Sequence, residues 1–401
     1  MLRPGSRALT TLLAVLTGLG PISMDMYLPS LPAIERILEA PTARVQLTIA
    51  SYLFGFALGQ VIWGPISDRR GRRPVLLAAL VLYAVATLVC AAAQSIDTLI
   101  AARLLQAIGG SGSIVLARAM VRDLYSGVRA GRELSLMGAI SGFAPIAAPM
   151  IGGVLQTGFG WRASFIVMAA AGAAAILAVG RLLPETLRQR TTEPISLAFM
   201  AQSYVAVLRQ GDFLAYLGIL TISFAGLFAW ISGAPLILQR LYGLSAVAFG
   251  FTFALGAAGY VLGTTIASRL VLRLGIDRTM GLGVILLAAG GVAAAAVVAA
   301  GIGSGIWLVA AMAIYLSGLG LAMPQAIAGA LTPFPERAGT ASSLMGFAQQ
   351  SIAAIVTAAV GSYLGPSAWP VAGVVVAMGW LSFLLWACTR RLRSRNLVSS
   401  S

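Results

Sequence analysis

Twelve apolar stretches of about twenty residues each, set apart by short clusters of arginine, proline and polar residues, leave this chain few folds to choose from. A bilayer's hydrocarbon core is about 30 Å thick and takes about 20 helical residues to cross. Inside it only helices or closed barrels satisfy every backbone polar group. The stretches lie at roughly 8–30, 45–66, 73–94, 98–121, 132–155, 161–183, 213–237, 245–268, 279–301, 305–331, 338–362 and 367–388. Each is long enough to cross as a helix, so the expectation is an all-α membrane protein of twelve transmembrane helices. With 59% hydrophobic and 10% charged residues, the chain sits far from a soluble domain, in which about 25% are charged. The first stretch follows Arg3 and Arg7 as a signal peptide would. No small-residue cleavage site follows it, and its apolar character runs on through Met26, Tyr27 and Leu28, so it is expected to stay as the first span.

Charge gives the orientation. The 27 basic residues are all arginine, against 12 acidic ones. Without Lys and His there is no P-loop lysine, Schiff base, Ser-His triad or His metal site. Cys90 and Cys388 fall in different predicted helices and imply neither a disulfide framework nor a thiolate cluster. Numbering the loops alternately, 22 of the 27 arginines fall on one side, among them Arg3, Arg7, Arg69, Arg70, Arg72, Arg73, Arg188, Arg190, Arg337 and Arg395. The other side has Arg36, Arg44, Arg103, Arg162 and Arg240. Short arginine-rich loops stay cytoplasmic, so both termini are expected inside, and the basic excess reads as a topology signal rather than a nucleic-acid surface.

The chain repeats itself. RAGRELSLMG (129–138) returns as RAGTASSLMG (337–346), with seven of ten positions matching at an offset of 208. Gly59 through Arg73 aligns with Gly259 through Arg273 at an offset of 200. Two six-span units in parallel follow, with an N-terminal half at 1–183, a cytoplasmic linker at 184–212 containing Glu193, and a C-terminal half at 213–401. In such plans the halves rock about a central site. Gly55/Gly59 and Gly259/Gly263 form G-x-x-x-G pairs, read here as packing within the bundle.

After the second span comes GPISDRRGRRPVLL, Gly64 to Leu77. Gly64 permits close helix approach, Gly71 a tight turn between two helices, and Pro74 suits the first turn of the next. Asp68 among four arginines at a helix boundary can make charge-assisted bonds that differ between two conformations. The string resembles the G-x-x-x-D-R-x-G-R-R signature of the major facilitator superfamily. MDMYLPSLPAI (24–34), RAMVRDLYSG (118–127) and FPERAGTASSL (334–344) resemble its Bcr/CflA branch of bacterial drug:proton antiporters, which export bicyclomycin, chloramphenicol-type compounds and similar agents. The resemblance implies the major facilitator fold, with two halves related by a pseudo-two-fold axis. It also implies a cytoplasmic conformational latch at Gly64, Asp68, Arg69, Gly71, Arg72 and Arg73. The second copy has Ser268 opposite Asp68, which makes any latch asymmetric. In the fifth span, Gly138, Gly142, Pro145, Pro149, Gly152 and Gly153 resemble the antiporter signature, whose physics is a kinked, slender helix that packs tightly. The segment departs from that signature in having Ala144 before Pro145.

Of the acids, Asp25 alone is expected well inside a span, where a carboxylate costs about 2.5–3.5 kcal/mol on insertion scales and is a functional candidate. It lies about sixteen residues, or about 24 Å, into the first span, and Arg103 lies about 8 Å from the outer end of the fourth. The two depths coincide in a core about 30 Å thick. Arg103, Gln106 and Gly109 in ARLLQAIGG resemble the family's R-x-x-Q-x-x-G signature, which implies a part for this arginine in proton coupling. Asp25 would be ionised when paired or substrate-bound and protonated when facing the acidic exterior, so that proton and drug exclude one another. A structural ion pair joining the first and fourth spans is the plain alternative. For substrate contact the candidates are Tyr27, Tyr52, Gln106, Phe224, Trp230 and Gln325, because pockets combine aromatic walls with a few polar groups; Pro29 and Pro32 read as helix-end geometry. The expected protein is a monomer in the bacterial inner membrane, with no cofactor or metal, driven by the proton gradient, its partners being protons, a small drug and lipid. Uptake or export of a metabolite on the same fold is the competing reading. A membrane enzyme lacks the His, Lys, paired intramembrane carboxylates and G-x-S-x-G it would need, and there is no nucleotide-binding cassette.

Overall fold

The computed structural model describes residues 6–125, 127–187, 197–334, 338–365 and 367–393, and among these every regular element is helical. Arg3, Arg188, Arg190, Glu193, Arg337 and Arg395, and with them residues 188–196 of the 184–212 linker, lie outside the described residues. The chain divides into two compact units, Met1–Ile195 with Ser245–Gly250, and Ser196–Leu244 with Phe251–Ser401.

The first unit contains α1 (Arg7–Asp25), a 3₁₀ turn (Leu28–Ser30), α2 (Leu31–Ile37), α3 (Thr42–Arg70), α4 (Arg72–Ala92), α5 (Ile96–Leu124), α6 (Gly127–Phe159) and α7 (Arg162–Leu182). The remaining helices are α8 (Leu197–Leu208), α9 (Gly211–Leu236), α10 (Ala246–Ala299), α11 (Gly305–Leu331), α12 (Ala338–Tyr363) and α13 (Trp369–Cys388). Local chemistry sets several ends. Ser6 caps α1 by accepting from the Leu9 N–H at 3.3 Å, and Ser95 caps α5 by accepting from Thr98 at 3.2 Å. Gly71, at φ 101°, turns the chain from α3 into α4, a backbone conformation that a side chain would resist.

Among the described residues, eleven segments are long and apolar enough to cross a membrane. One of them, α10, has 54 residues, or about 81 Å of helix against a core of about 30 Å. It breaks at Gly275 (φ 75°, ψ 175°), between the stretches expected to be spans eight and nine. The chain is therefore an all-α membrane protein of twelve crossings.

The first span differs from the expected continuous helix. The α1 helix ends at Asp25, and the chain passes through the 3₁₀ turn into α2 before the apolar segment ends at Ile37. Pro29 and Pro32 have no N–H for the carbonyls of Asp25 and Leu28, and their rings crowd those carbonyls, so an α-helix cannot run through. Asp25 thus stands at a helix end within the span rather than part-way along a helix.

Both G-x-x-x-G pairs line seams inside their units. In the first, Gly55 faces the Leu104 carbonyl and Gly59 faces Ser111, bringing α3 and α5 together. In the second, Gly259 and Gly263 face the backbone of Ala313 and Ser317 on α11, and Ser317 Oγ donates to the Gly259 carbonyl at 3.0 Å. The sequence assigns Gly64 to such an approach, but among the described residues a side chain there would meet only open space.

Candidate functional site

The residues around the α1 break form a polar interior within the first unit. Asp25 is 5% exposed and Arg103, on α5, is fully buried. The end of a helix leaves carbonyls without intrahelical donors. Arg103 takes one of them, its Nη1 donating to the Ser23 carbonyl at 3.0 Å, while Nη2 lies 3.9 Å from Met24 Sδ. The guanidinium therefore grips the two residues immediately before Asp25. The negative pole of α1 lies there as well and suits a cation. No ion pair joins Arg103 to Asp25 among the described contacts, although the two charges are close enough to interact through space.

Aromatic rings enclose the cation. The Arg103 guanidinium carbon lies 4.0 Å from the Tyr52 ring centre, 4.6 Å from that of Tyr27 and 5.9 Å from that of Phe165. Such contacts contribute about 2 kcal/mol when desolvated. Arg103 Nη1 also donates to Gln106 Oε1 at 2.7 Å, and Gln106 Nε2 donates to Thr87 Oγ1 at 2.9 Å, which fixes the amide orientation. Tyr52 donates to the Gly20 carbonyl at 2.8 Å. Ser23 commits its proton to the Leu19 carbonyl at 2.6 Å, so Tyr83 donates to Ser23 Oγ at 2.7 Å. By the same logic Thr48 donates to the Val45 carbonyl, leaving Tyr27 to donate to Thr48. Arg103 Nε is buried without an acceptor.

A second cluster surrounds the α3–α4 turn. Arg72 Nη1 lies 2.5 Å from Asp68 Oδ1 and donates to Ser67 Oγ at 2.6 Å, while Nε donates to Asp123 Oδ2 on α5 at 2.9 Å. Glu185, just past α7, accepts the N–H groups of Arg72 at 3.0 Å and Arg73 at 3.2 Å, capping α4 with a carboxylate. The Arg73 side chain reaches back to the carbonyls of Val179 and Gly180. Arg69 points outward and is exposed.

The α6 motif separates into two parts. Pro145 and Pro149 lie within one continuous helix. Gly152 packs against the Met26 carbonyl beside Asp25, and Gly153 against the Ala246 backbone. Among the described residues nothing lies within 4 Å of a side chain added at Gly138 or Gly142, so these two glycines mark no close helix approach. Of the proposed substrate contacts, Tyr27, Tyr52 and Gln106 gather on Arg103. Phe224, Trp230 and Gln325 belong to the second unit, where Phe224 meets Phe228 at 4.8 Å and Trp230 and Gln325 are buried. Sequence reasoning missed Ser23, Tyr83, Thr87 and Phe165 around Arg103, and Asp123 and Glu185 around Arg72. The signal available for the last two was their position, as rare acids on an arginine-rich side. No cluster of three or more metal-ligating His, Cys, Asp or Glu side chains occurs among the described residues.

Residues 13–358 match the pattern of the Major Facilitator Superfamily. The chain is 30% identical over 388 residues to the bicyclomycin resistance protein homolog of Haemophilus influenzae, with 96% of each chain covered. It is 31% identical over 333 residues to the chloramphenicol resistance protein of Pseudomonas aeruginosa, covering 81% of this chain and 77% of that one. In fold it is similar to the crystal structure of a D-xylose-proton symporter, with a TM-score of 0.75 at 18% identity, covering 94% of this chain and 98% of that one.

Proposed function

This chain belongs to the major facilitator superfamily, and from that premise we propose that it exports small amphipathic drugs of the bicyclomycin or chloramphenicol kind in exchange for protons. As a member of the family it is a membrane-spanning transporter of small molecules rather than an enzyme. The observation that carries the finer reading is Asp25: a buried acid at a break in the first span, adjoining the two residues that Arg103 holds.

In the proposed cycle Asp25 is the proton acceptor and Arg103 its coupling partner. With Asp25 protonated, the guanidinium rests on Ser23, Gln106 and the two tyrosine rings. Loss of the proton leaves a carboxylate whose attraction for Arg103 competes with those contacts, because unlike charges at short range in a low dielectric attract strongly. Moving Arg103 rearranges Tyr27 and Tyr52, the walls offered to the drug, so proton and substrate are bound alternately. The cluster of Asp68, Arg72, Asp123 and Glu185 serves as the latch of the first half. The protein works as a monomer in the bacterial inner membrane with both termini cytoplasmic, and the proton gradient takes the place of any cofactor.

Everted vesicles carrying a pH probe test this. Adding chloramphenicol or bicyclomycin to energised vesicles containing the wild-type protein is expected to release protons from the lumen. Asp25→Asn should abolish release and drug resistance while remaining in the membrane at wild-type levels. Undiminished efflux by that variant would end the proposal, and proton movement of the opposite sign would replace export with uptake.

A further inference from the structure

We infer that Asp277 and Arg393 form a second latch, in the second half, built from residue types that the internal repeat does not keep and with the polarity of the first reversed. Gly275 plays the part of Gly71: each has positive φ and joins two successive spans. Ser268 leaves the second copy without a counterpart of Asp68. An acid appears instead at Asp277, two residues beyond Gly275, where Arg73 stands two residues beyond Gly71. The offset of 208 that relates the two R-A-G segments also takes Trp161 to Trp369 and Glu185 to Arg393. So the residue that clasps the turn from beyond the last helix of the unit is an acid in the first half and a base in the second.

The geometry is that of a built pair. Arg393 is 1% exposed, though it lies beyond the end of α13. Its Nε donates to Asp277 Oδ1 at 2.8 Å, its Nη2 to the Trp386 carbonyl at 2.6 Å, and its Nη1 to Thr389 Oγ1. Trp386 closes the circuit, its Nε1 donating to the Asp277 backbone carbonyl at 3.3 Å while its ring lies 5.8 Å from the guanidinium carbon. A guanidinium so thoroughly enclosed needs its carboxylate, since removing one partner strands a buried charge. Arg393 is accordingly a positioning residue. It fastens the turn within α10 to α13, so that the spans on either side of Gly275 and the last span move together during transport. This inference requires a transporter, and neither proton coupling nor a drug substrate.

The test is a double-mutant cycle on the full-length protein in lipid nanodiscs, read by hydrogen exchange of the amides at 275–279, with residues 308–330 of α11 as internal control. Arg393→Gln and Asp277→Asn are each expected to speed exchange at the turn about tenfold with α11 unchanged, the magnitude of one lost charge-assisted bond. The double variant, which strands no charge, should exchange no faster than either single one, and Arg393→Lys should fall between wild type and Arg393→Gln. Effects that multiply in the double variant, or singles that leave the turn unchanged, overturn the latch. Should a single variant unfold, the double variant must still fold, and its unfolding overturns the latch too. Chloramphenicol transport by the same variants in everted vesicles should lose maximal rate at unchanged KM. A wild type that does not move chloramphenicol refutes the drug reading, and the exchange cycle still decides the latch.

Discussion

The Arg103 guanidinium carbon lies 4.0 Å from the centre of the Tyr52 ring, and Tyr52 is itself anchored by its hydroxyl to the Gly20 carbonyl 2.8 Å away. Cation, ring and helix end therefore form one unit, in which the planarity of the cation matters as much as its charge. Arg103→Lys keeps the charge but loses the flat face and the fork that reaches Ser23 and Gln106 together. Drug efflux by this variant should fall at least about tenfold, or about 1.4 kcal/mol, with the protein still in the membrane. Wild-type efflux would show that charge alone suffices.

Tyr52 separates the two contributions. Tyr52→Phe retains the ring under Arg103 and gives up one hydrogen bond, at a cost of about 1 kcal/mol in stability. Tyr52→Leu removes the cation–π contact, about 2 kcal/mol when desolvated. Thermal unfolding in detergent should lower the melting temperature more for leucine than for phenylalanine, and efflux should survive only in the phenylalanine variant.

Pro29→Ala restores the N–H that the Asp25 carbonyl lacks. Proline costs about 3 kcal/mol relative to alanine in a helix interior, so α1 should extend beyond Asp25 and the amides at 26–30 should exchange more slowly. Stability is expected to hold or rise while efflux falls, because the break that exposes the Ser23 carbonyl to Arg103 closes. A variant that exports normally with slowed amides would show the break to be dispensable.

Glu185 carries the cap of α4 on both carboxylate oxygens, Oε1 receiving Arg72 and Oε2 receiving Arg73. Glu185→Gln keeps one acceptor and loses the charge, so stability should fall by about 1–3 kcal/mol, seen as a lower melting temperature. An unchanged melting temperature would mean that Glu185 bears no load.

Glycine positions give a paired test of packing. Gly59→Val drives a branched side chain into Ser111 on α5, and overpacking of this kind costs about 1–3 kcal/mol or more. Gly64→Ala, five residues on and facing open space, should leave thermal stability as it was. Equal effects at the two sites would contradict the seam.

Span number and the turn at Gly71 were legible in the sequence because each follows from a local rule: the length of an apolar run, or the backbone freedom of one residue. Asp25 and Arg103 stood out because ionisable groups are rare inside spans. The ending of α1 at Asp25 was written in Pro29 and Pro32, four residues after the two carbonyls they fail to serve. Partners distant in the chain were not legible. Nothing local ties Glu185 to Arg72, Ser23 to Tyr83 or Arg393 to Asp277, since these pairs arise only when helices far apart in sequence are packed. Gly138 and Gly64 show the converse, as a glycine at a spacing suited to close approach need not find a neighbour there.

Where backbone meets backbone, as at Gly55 and Gly59 along α5, two helices cannot slide past one another. A shift of one turn along the seam would drive a side chain into the carbonyl that the glycine now accommodates. The pair α3 and α5 behaves as a single strut, and strain arising at Arg103 on one of its members is not dissipated there. It is delivered whole to the other end of the strut, where Asp68, Arg72 and Asp123 are fastened, about 30 Å away for the twenty residues of helix between Arg103 and Asp123.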